Sequence, residues 1–346
     1  MYKAIIILVL LSIIFFSATS FSDSEKARLE VRASWDGATP VAEILRNLGV
    51  EVANHGVTNL TAAMVEQGKD LVLKGITIAP NGNKTAKQSK NFVCTHCHNV
   101  QKEDPNLALP NPEDRLSYAD ENELPFLQGT TLYGVVNRTS WYNGDYEKKY
   151  GDLVTPARNN LREAVQLCAI ECSQGRKLKE WELDAVIAYL WTLQLKAEDL
   201  NLSESDWTRL KDGKADATTG KWLQQQYFQA SPATFIDAYN SIVASDKLEG
   251  NPERGRSIYE LSCLHCHAPQ THITQFTLDD SKMTFRYLRN NFGKYNHASL
   301  FQLARFGTKP MMGYRPYMPN YTLERMSHQQ MADLKAYIEV RSDDNQ

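Results

Sequence analysis

Two short runs carry reactive side chains at a spacing that defines a chemistry. They are Cys94-Thr95-His96-Cys97-His98 and Cys263-Leu264-His265-Cys266-His267, each of the form C-x-x-C-H. Two thiols three positions apart lie on one turn of chain and can form thioethers to the two vinyl groups of one porphyrin. The histidine that follows directly reaches the iron from the proximal side. The pattern predicts two covalently bound c-type haems: Cys94 and Cys97 hold the first, with His98 on its iron, and Cys263 and Cys266 hold the second, with His267. A zinc site needs another ligand pair near each run. A bare CxxC redox pair leaves the closing histidines unexplained.

Haem attachment of this kind happens outside the bacterial cytoplasm, and the start of the chain fits export. Lys3 is followed by an apolar run from Ala4 to Phe16 and by the small residues Ser17-Ala18-Thr19-Ser20. This reads as a signal peptide over residues 1–20, cleaved after Ser20. An uncleaved anchor is the alternative, although the run is short for a span of about 20 residues. No later segment is apolar enough to span a bilayer, so no membrane span is expected in the mature chain. The 346 residues, 42% hydrophobic and 23% charged, suit two globular domains. A net charge of −3 gives no electrostatic case for a nucleic-acid partner.

Helices must position the two runs. Pro40 opens a short helix, and Thr61–Lys74 reads as another, with Ala62, Met64, Val65, Leu71 and Leu73 available for packing. Pro80-Asn81-Gly82-Asn83 marks a turn. Residues 105–112 read as loop, 129–138 as a short extended piece and 141–150 as an aromatic loop. Pro156 opens a helix to about Cys172, ended by Gly175. A further helix covers Trp181–Leu195, and another starts at Pro232. In the second half, helices are expected over 254–261, 281–291 and 299–306. A last helix is capped by Ser327 with Gln330 three residues on.

The two halves repeat one plan. Gly68-Lys69-Asp70-Leu71 precedes the first run, and Gly255-Arg256-Ser257-Ile258 precedes the second. Ala188-Tyr189-Leu190 matches Ala336-Tyr337-Ile338 in the closing helices. This layout resembles the class I cytochrome c domain, in which the first and last helices cross over the haem edge. The resemblance implies a mainly α fold with two tandem class I cytochrome c-like domains. The first covers residues 21–200 and the second 246–346, with a linker containing helical parts at 201–245.

The distal ligand decides whether such an iron is closed or reactive. For the second haem the candidate is Met318, in Tyr317-Met318-Pro319, because cytochrome c domains place Met-Pro just before the closing helix. Arg305-Phe306-Gly307-Thr308 resembles the segment before that ligand loop. Met311 and Met312, beside Lys309, compete, and Met326 and Met331 read as core. The first half has no Met-Pro. Met64 lies on a packing helix before the haem run, and the position before the closing helix holds Cys168-Ala169-Ile170-Glu171-Cys172-Ser173-Gln174-Gly175-Arg176. This segment resembles the one carrying the distal cysteine in the tetrathionate-forming thiosulfate dehydrogenases and in the dihaem subunit of the Sox thiosulfate-oxidising complex. Where those have Met-Asn-Gly, this chain has Ser-Gln-Gly. The resemblance implies Cys168 as an iron ligand, with Cys172 as the alternative. A disulfide, buried thiols or a histidine ligand such as His55 remain open. His96 and His265 point away from the irons by geometry. His55, His272, His297 and His328 read as surface or loop residues.

Two functions follow. The first is an exported dihaem cytochrome passing electrons between periplasmic donor and acceptor proteins. The second, implied by the resemblance, is an oxidoreductase with a His/Cys active-site haem and a His/Met exit haem. It would join two thiosulfate anions, or act on a related sulfur anion, with Cys168 catalytic and Arg158, Arg162 or Arg176 holding the anions. A dihaem peroxidase would need an open iron and a water-handling acid, for which the chain has no motif.

Overall fold

A computed structural model describes residues 26–274, 276–292, 299–308 and 318–343. Residues 1–20, read above as a signal peptide, and His297, Lys309, Met311 and Met312 lie outside these. The described chain is mainly helical, with no β-strand among the described residues beyond isolated bridges. It forms two compact units. One joins the described residues up to Val52 with Leu195–Tyr227, and the other joins Ala53–Gln194 with the described residues from Phe228 on.

In the smaller unit, a helix over 26–33 and the helix Val41–Asn47 are tied by Arg32, whose Nε donates to Asn47 Oδ1 at 3.0 Å. Its Nη1 donates to Asp212 O at 3.0 Å. The core is Trp35, Val41, Ile44 and Leu45 with Leu210 and Leu223. Part of the stretch read as a linker is folded here, as the helices Glu204–Lys211 and Ala217–Gln224. Ser203 caps the first in a capping box with Asp206, and Asp216 caps the second.

The larger unit contains both C-x-x-C-H runs. Its frame is one helix crossing made twice. Helix Ala62–Lys74 starts at Thr61, whose hydroxyl accepts from Met64 N at 3.2 Å, and it crosses Glu180–Thr192. Helix Pro252–Ile258 starts at Asn251, which accepts from Glu253 N and Arg254 N, and it crosses His328–Asp343. Both crossings close on a glycine. A Cβ on Gly68 would lie 1.8 Å from Ala185 O and 3.0 Å from Tyr189 Cβ. On Gly255 it would lie 2.0 Å from Asp333 O and 2.7 Å from Tyr337 Cβ. Only a residue without a side chain lets the backbones approach this closely. The second crossing is walled by Tyr259, Phe285 and Tyr337, whose ring centroids lie 5.1–5.7 Å apart. Met326 and Met331 are buried in that core.

Several expectations need correction. Ala62 is exposed, and Gly68, Leu71 and Val72 are the buried face of the first helix. Residues 129–138 are not extended but turn through the short helix Val135–Asn137. The aromatic loop contains the helix Tyr146–Tyr150. Pro112 does not end a loop; it begins the helix Pro112–Glu121, capped by Asn111. The helix placed over 156–172 is broken: Asn160 accepts from Arg162 N and Glu163 N and starts a new helix, Leu161–Leu167. That helix widens into a π-turn, Cys168–Cys172, closed by Ser173 N donating to Cys168 O at 2.9 Å. Asp237 rather than Pro232 starts the helix Ala238–Ser245. The cap of the last helix is as expected, with Gln330 N on Ser327 Oγ at 3.0 Å and Ser327 N on Gln330 Oε1 at 2.9 Å.

Candidate functional site

Cys94, Cys97 and His98 open onto a cavity shared with Cys168 and Cys172. Its empty space, including the part open to solvent, is about 1670 Å³. Leu71, Val72, Leu132, Val135, Val186 and Leu190 supply apolar wall, and Arg138, Lys149 and Arg325 supply cations. The first run is a tight turn, with His98 N donating to Cys94 O at 3.0 Å. A strap from 127 to 132 backs it. Gly129 N donates to Cys97 O at 2.9 Å, and a Cβ on Gly129 would lie 2.5 Å from the His98 ring. His98 Nδ1 lies 2.6 Å from Thr130 O. A carbonyl only accepts, so Nδ1 carries the proton and Nε2 keeps its lone pair for a metal.

The second run repeats this arrangement. His267 Nδ1 donates to Phe276 O at 2.7 Å, and Leu278 N donates to His267 O at 2.7 Å. Cys263 and Leu264 pack on the core of Tyr259, Phe285 and Tyr337. Burial lowers the pKa values of both imidazoles, against the carbonyl hydrogen bonds that raise them. The two runs lie against each other, with Cys266 Sγ 4.0 Å from His96 O. His96 is pushed down to about 4, by burial first and then by His265 and Lys87. His96 and His265 therefore belong to the junction between the runs.

The sulfurs fall into two kinds. Desolvation pushes the Cys94 thiol up to about 11, the Cys266 thiol to about 11 and the Cys263 thiol to about 12, and it raises Cys97 as well. These surroundings suit neutral sulfur, which is what a thioether contains. Cys172 goes the other way, down to about 6. A hydrogen bond from Cys168 is the largest cause; burial opposes it, and Tyr150, Tyr142 and the Lys149 charge add to it. Tyr150 Oη lies 3.3 Å and Tyr142 Oη 3.6 Å from Cys172 Sγ. These surroundings suit an anionic sulfur. The donor set therefore fits a porphyrin held by two thioethers and one imidazole, with two further sulfur donors, Cys168 and Cys172, in the same cavity.

Other expected residues lie elsewhere. His55 Nε2 donates to Val136 O at 2.9 Å, and the ring sits between Trp141 and Trp191, outside the cavity lining. None of the three arginines expected to hold anions lines the cavity. Arg176 grips Glu182, Arg162 pairs with Glu180 and Asp184, and Arg158 pairs with Glu147. Met318 is half-buried, and its backbone is clasped by Thr308: Thr308 N donates to Met318 O at 3.0 Å, and Met318 N donates to Thr308 Oγ1 at 2.8 Å. Arg138, Lys149, Arg325 and the tyrosines at 142 and 150 also line the cavity, beyond the residues expected there. The tyrosines had a signal in the aromatic stretch, but Arg325 had none, because its partners are remote in sequence.

Residues 252–341 match the family model for cytochrome c. No curated protein and no solved structure matches the chain. The second run thus lies in a cytochrome c domain, which implies a covalently bound c-type haem and points to electron transfer.

Proposed function

We propose that the chain is an exported dihaem cytochrome that carries a c-type haem on each run and passes electrons between periplasmic donor and acceptor proteins. The observation that carries this reading is the contact between the two runs. Cys266 Sγ is 4.0 Å from His96 O within one compact unit. Two redox groups attached there exchange electrons without any moving part. When bound, each haem supplies a reversible one-electron couple. The chain's own residues fix the proximal imidazoles through Thr130 O and Phe276 O and surround the sulfurs of Cys94 and Cys97 with apolar wall. Met318 is assigned to the second iron by its position before the closing helix. The mass of the purified protein tests the count. Two haems per chain, lost one at a time in Cys94→Ala/Cys97→Ala and Cys263→Ala/Cys266→Ala, support the reading, and a single haem overturns it.

A second reading, a thiosulfate dehydrogenase-like oxidoreductase, is favoured by one observation. Cys172 shares the first cavity and receives two tyrosine hydroxyls. Under this reading Cys172, rather than Cys168, is the distal ligand, because its surroundings stabilise thiolate. Reduction of an artificial acceptor by thiosulfate, abolished in Cys172→Ala, is the expected result. No turnover with thiosulfate or related sulfur anions leaves the carrier reading alone.

A further inference from the structure

Glu103 is 1% exposed and Arg325 7%, and Arg325 Nη1 donates to Glu103 Oε1 at 2.7 Å. Removing two ions from water costs several kcal/mol each unless their remaining donors and acceptors are satisfied. Here three of their hydrogen bonds go to one short segment. Arg325 Nη2 donates to Leu127 O at 2.9 Å and to Gly129 O at 2.6 Å. Glu103 Oε1 also accepts from Thr131 N at 2.8 Å, and Oε2 accepts from Asn99 Nδ2 at 2.9 Å. The ion pair therefore grips the strap on both sides of Thr130, whose carbonyl holds His98 Nδ1. Arg115 joins the cluster, with Nη2 on Arg325 O at 2.5 Å. Arg325 lies inside the matched cytochrome c segment, yet it completes the support of the first run.

We infer that Arg325 and Glu103 are positioning residues of the first haem centre, and that their opposite charges set the potential of that iron separately from the second. The inference rests on the reading that the first run carries haem. A nearby cation favours the reduced centre, which carries one positive charge fewer, and a nearby anion favours the oxidised one.

The test uses the full-length holoprotein with Glu103→Gln, Arg325→Gln and Arg325→Lys. Mass first establishes the haem count. If the wild type lacks haem on Cys94 and Cys97, the dihaem reading fails and this inference falls with it. With two haems present, both midpoint potentials are measured by spectroelectrochemical titration, and Cys94→Ala/Cys97→Ala identifies the first wave by its loss. Arg325→Gln is expected to lower the first potential and Glu103→Gln to raise it. Arg325→Lys, which keeps the charge, should stay near wild type, and the second potential should not move. A purely structural role would loosen His98 alike in both glutamine variants. Shifts of the same sign, or none, in folded two-haem protein overturn the inference. If one glutamine variant does not fold by circular dichroism, the other and Arg325→Lys decide by the same signs.

Discussion

Tyr150 Oη lies 3.3 Å from Cys172 Sγ, on a turn that also presents Cys168 to the same cavity. An α-helical i, i+4 pair shares a face, and the π-turn keeps both sulfurs on the cavity side while leaving them in different surroundings. Cys168 is raised by its hydrogen bond to Cys172 and by burial, whereas Cys172 is lowered.

Cys172→Ala should therefore remove a low-spin thiolate signal from the electron paramagnetic resonance spectrum of the oxidised protein, and Cys168→Ala should keep it. Tyr150→Phe removes a donor from the sulfur, makes it a stronger ligand and should lower the first potential. Retention of the signal in Cys172→Ala would sink the assignment.

Met318→Ala should lower the potential of the second centre and leave the first unchanged, because a thioether ligand favours ferrous iron. Redox titration of the two-haem protein reads this directly. An unchanged second potential would exclude Met318 as the ligand.

Gly68→Ala and Gly255→Ala test the helix crossings. Alanine is better than glycine inside a helix by roughly 1 kcal/mol. Here the added carbon would lie 1.8–2.0 Å from a carbonyl oxygen of the partner helix, so the helices must part. Each change should cost about 2 kcal/mol or more, measured by denaturant unfolding. A gain in stability would show that the crossings are looser than described.

The buried acids give a pH dependence with two opposite parts. Glu103 is held down to about 2: burial opposes this, but Arg325 and Arg115 outweigh it. Its contribution is complete above the usual carboxylate range and is lost as pH falls toward 2. Asp104 is pushed up to about 6 by burial and by Glu103, against Arg325, Arg115 and Arg138. The folded state therefore holds a proton that the unfolded chain releases near pH 4, so this part of the stability is lost as pH rises from about 4 to 6. Asp104→Asn should raise stability at pH 7 by roughly 1–3 kcal/mol and change little at pH 4. Urea unfolding at the two pH values checks this.

What was legible in the chain was local. The runs at 94–98 and 263–267, the glycines at 68 and 255 and the box of Ser327 with Gln330 each announce themselves within a few residues, and the described helices agree with them. The break at Asn160 is also local: Asn159-Asn160 is a cap signal between two apolar stretches. The arginines at 158, 162 and 176 pair with carboxylates instead of lining the cavity, and a charge pattern does not say which carboxylate it will meet. Glu182, Asp184 and Glu180 lie on the next helix and claim two of them. Arg325 was invisible for the opposite reason: it acts on a carboxylate 222 residues earlier.

That distance has a consequence for folding. The turn at 94–98 closes locally, but the strap behind His98 is not clamped until Arg325, 222 residues beyond Glu103, docks on it. Contacts across so long a loop cost closure entropy before they form and come late. The backing of the first run is therefore the step that waits for the rest of the fold.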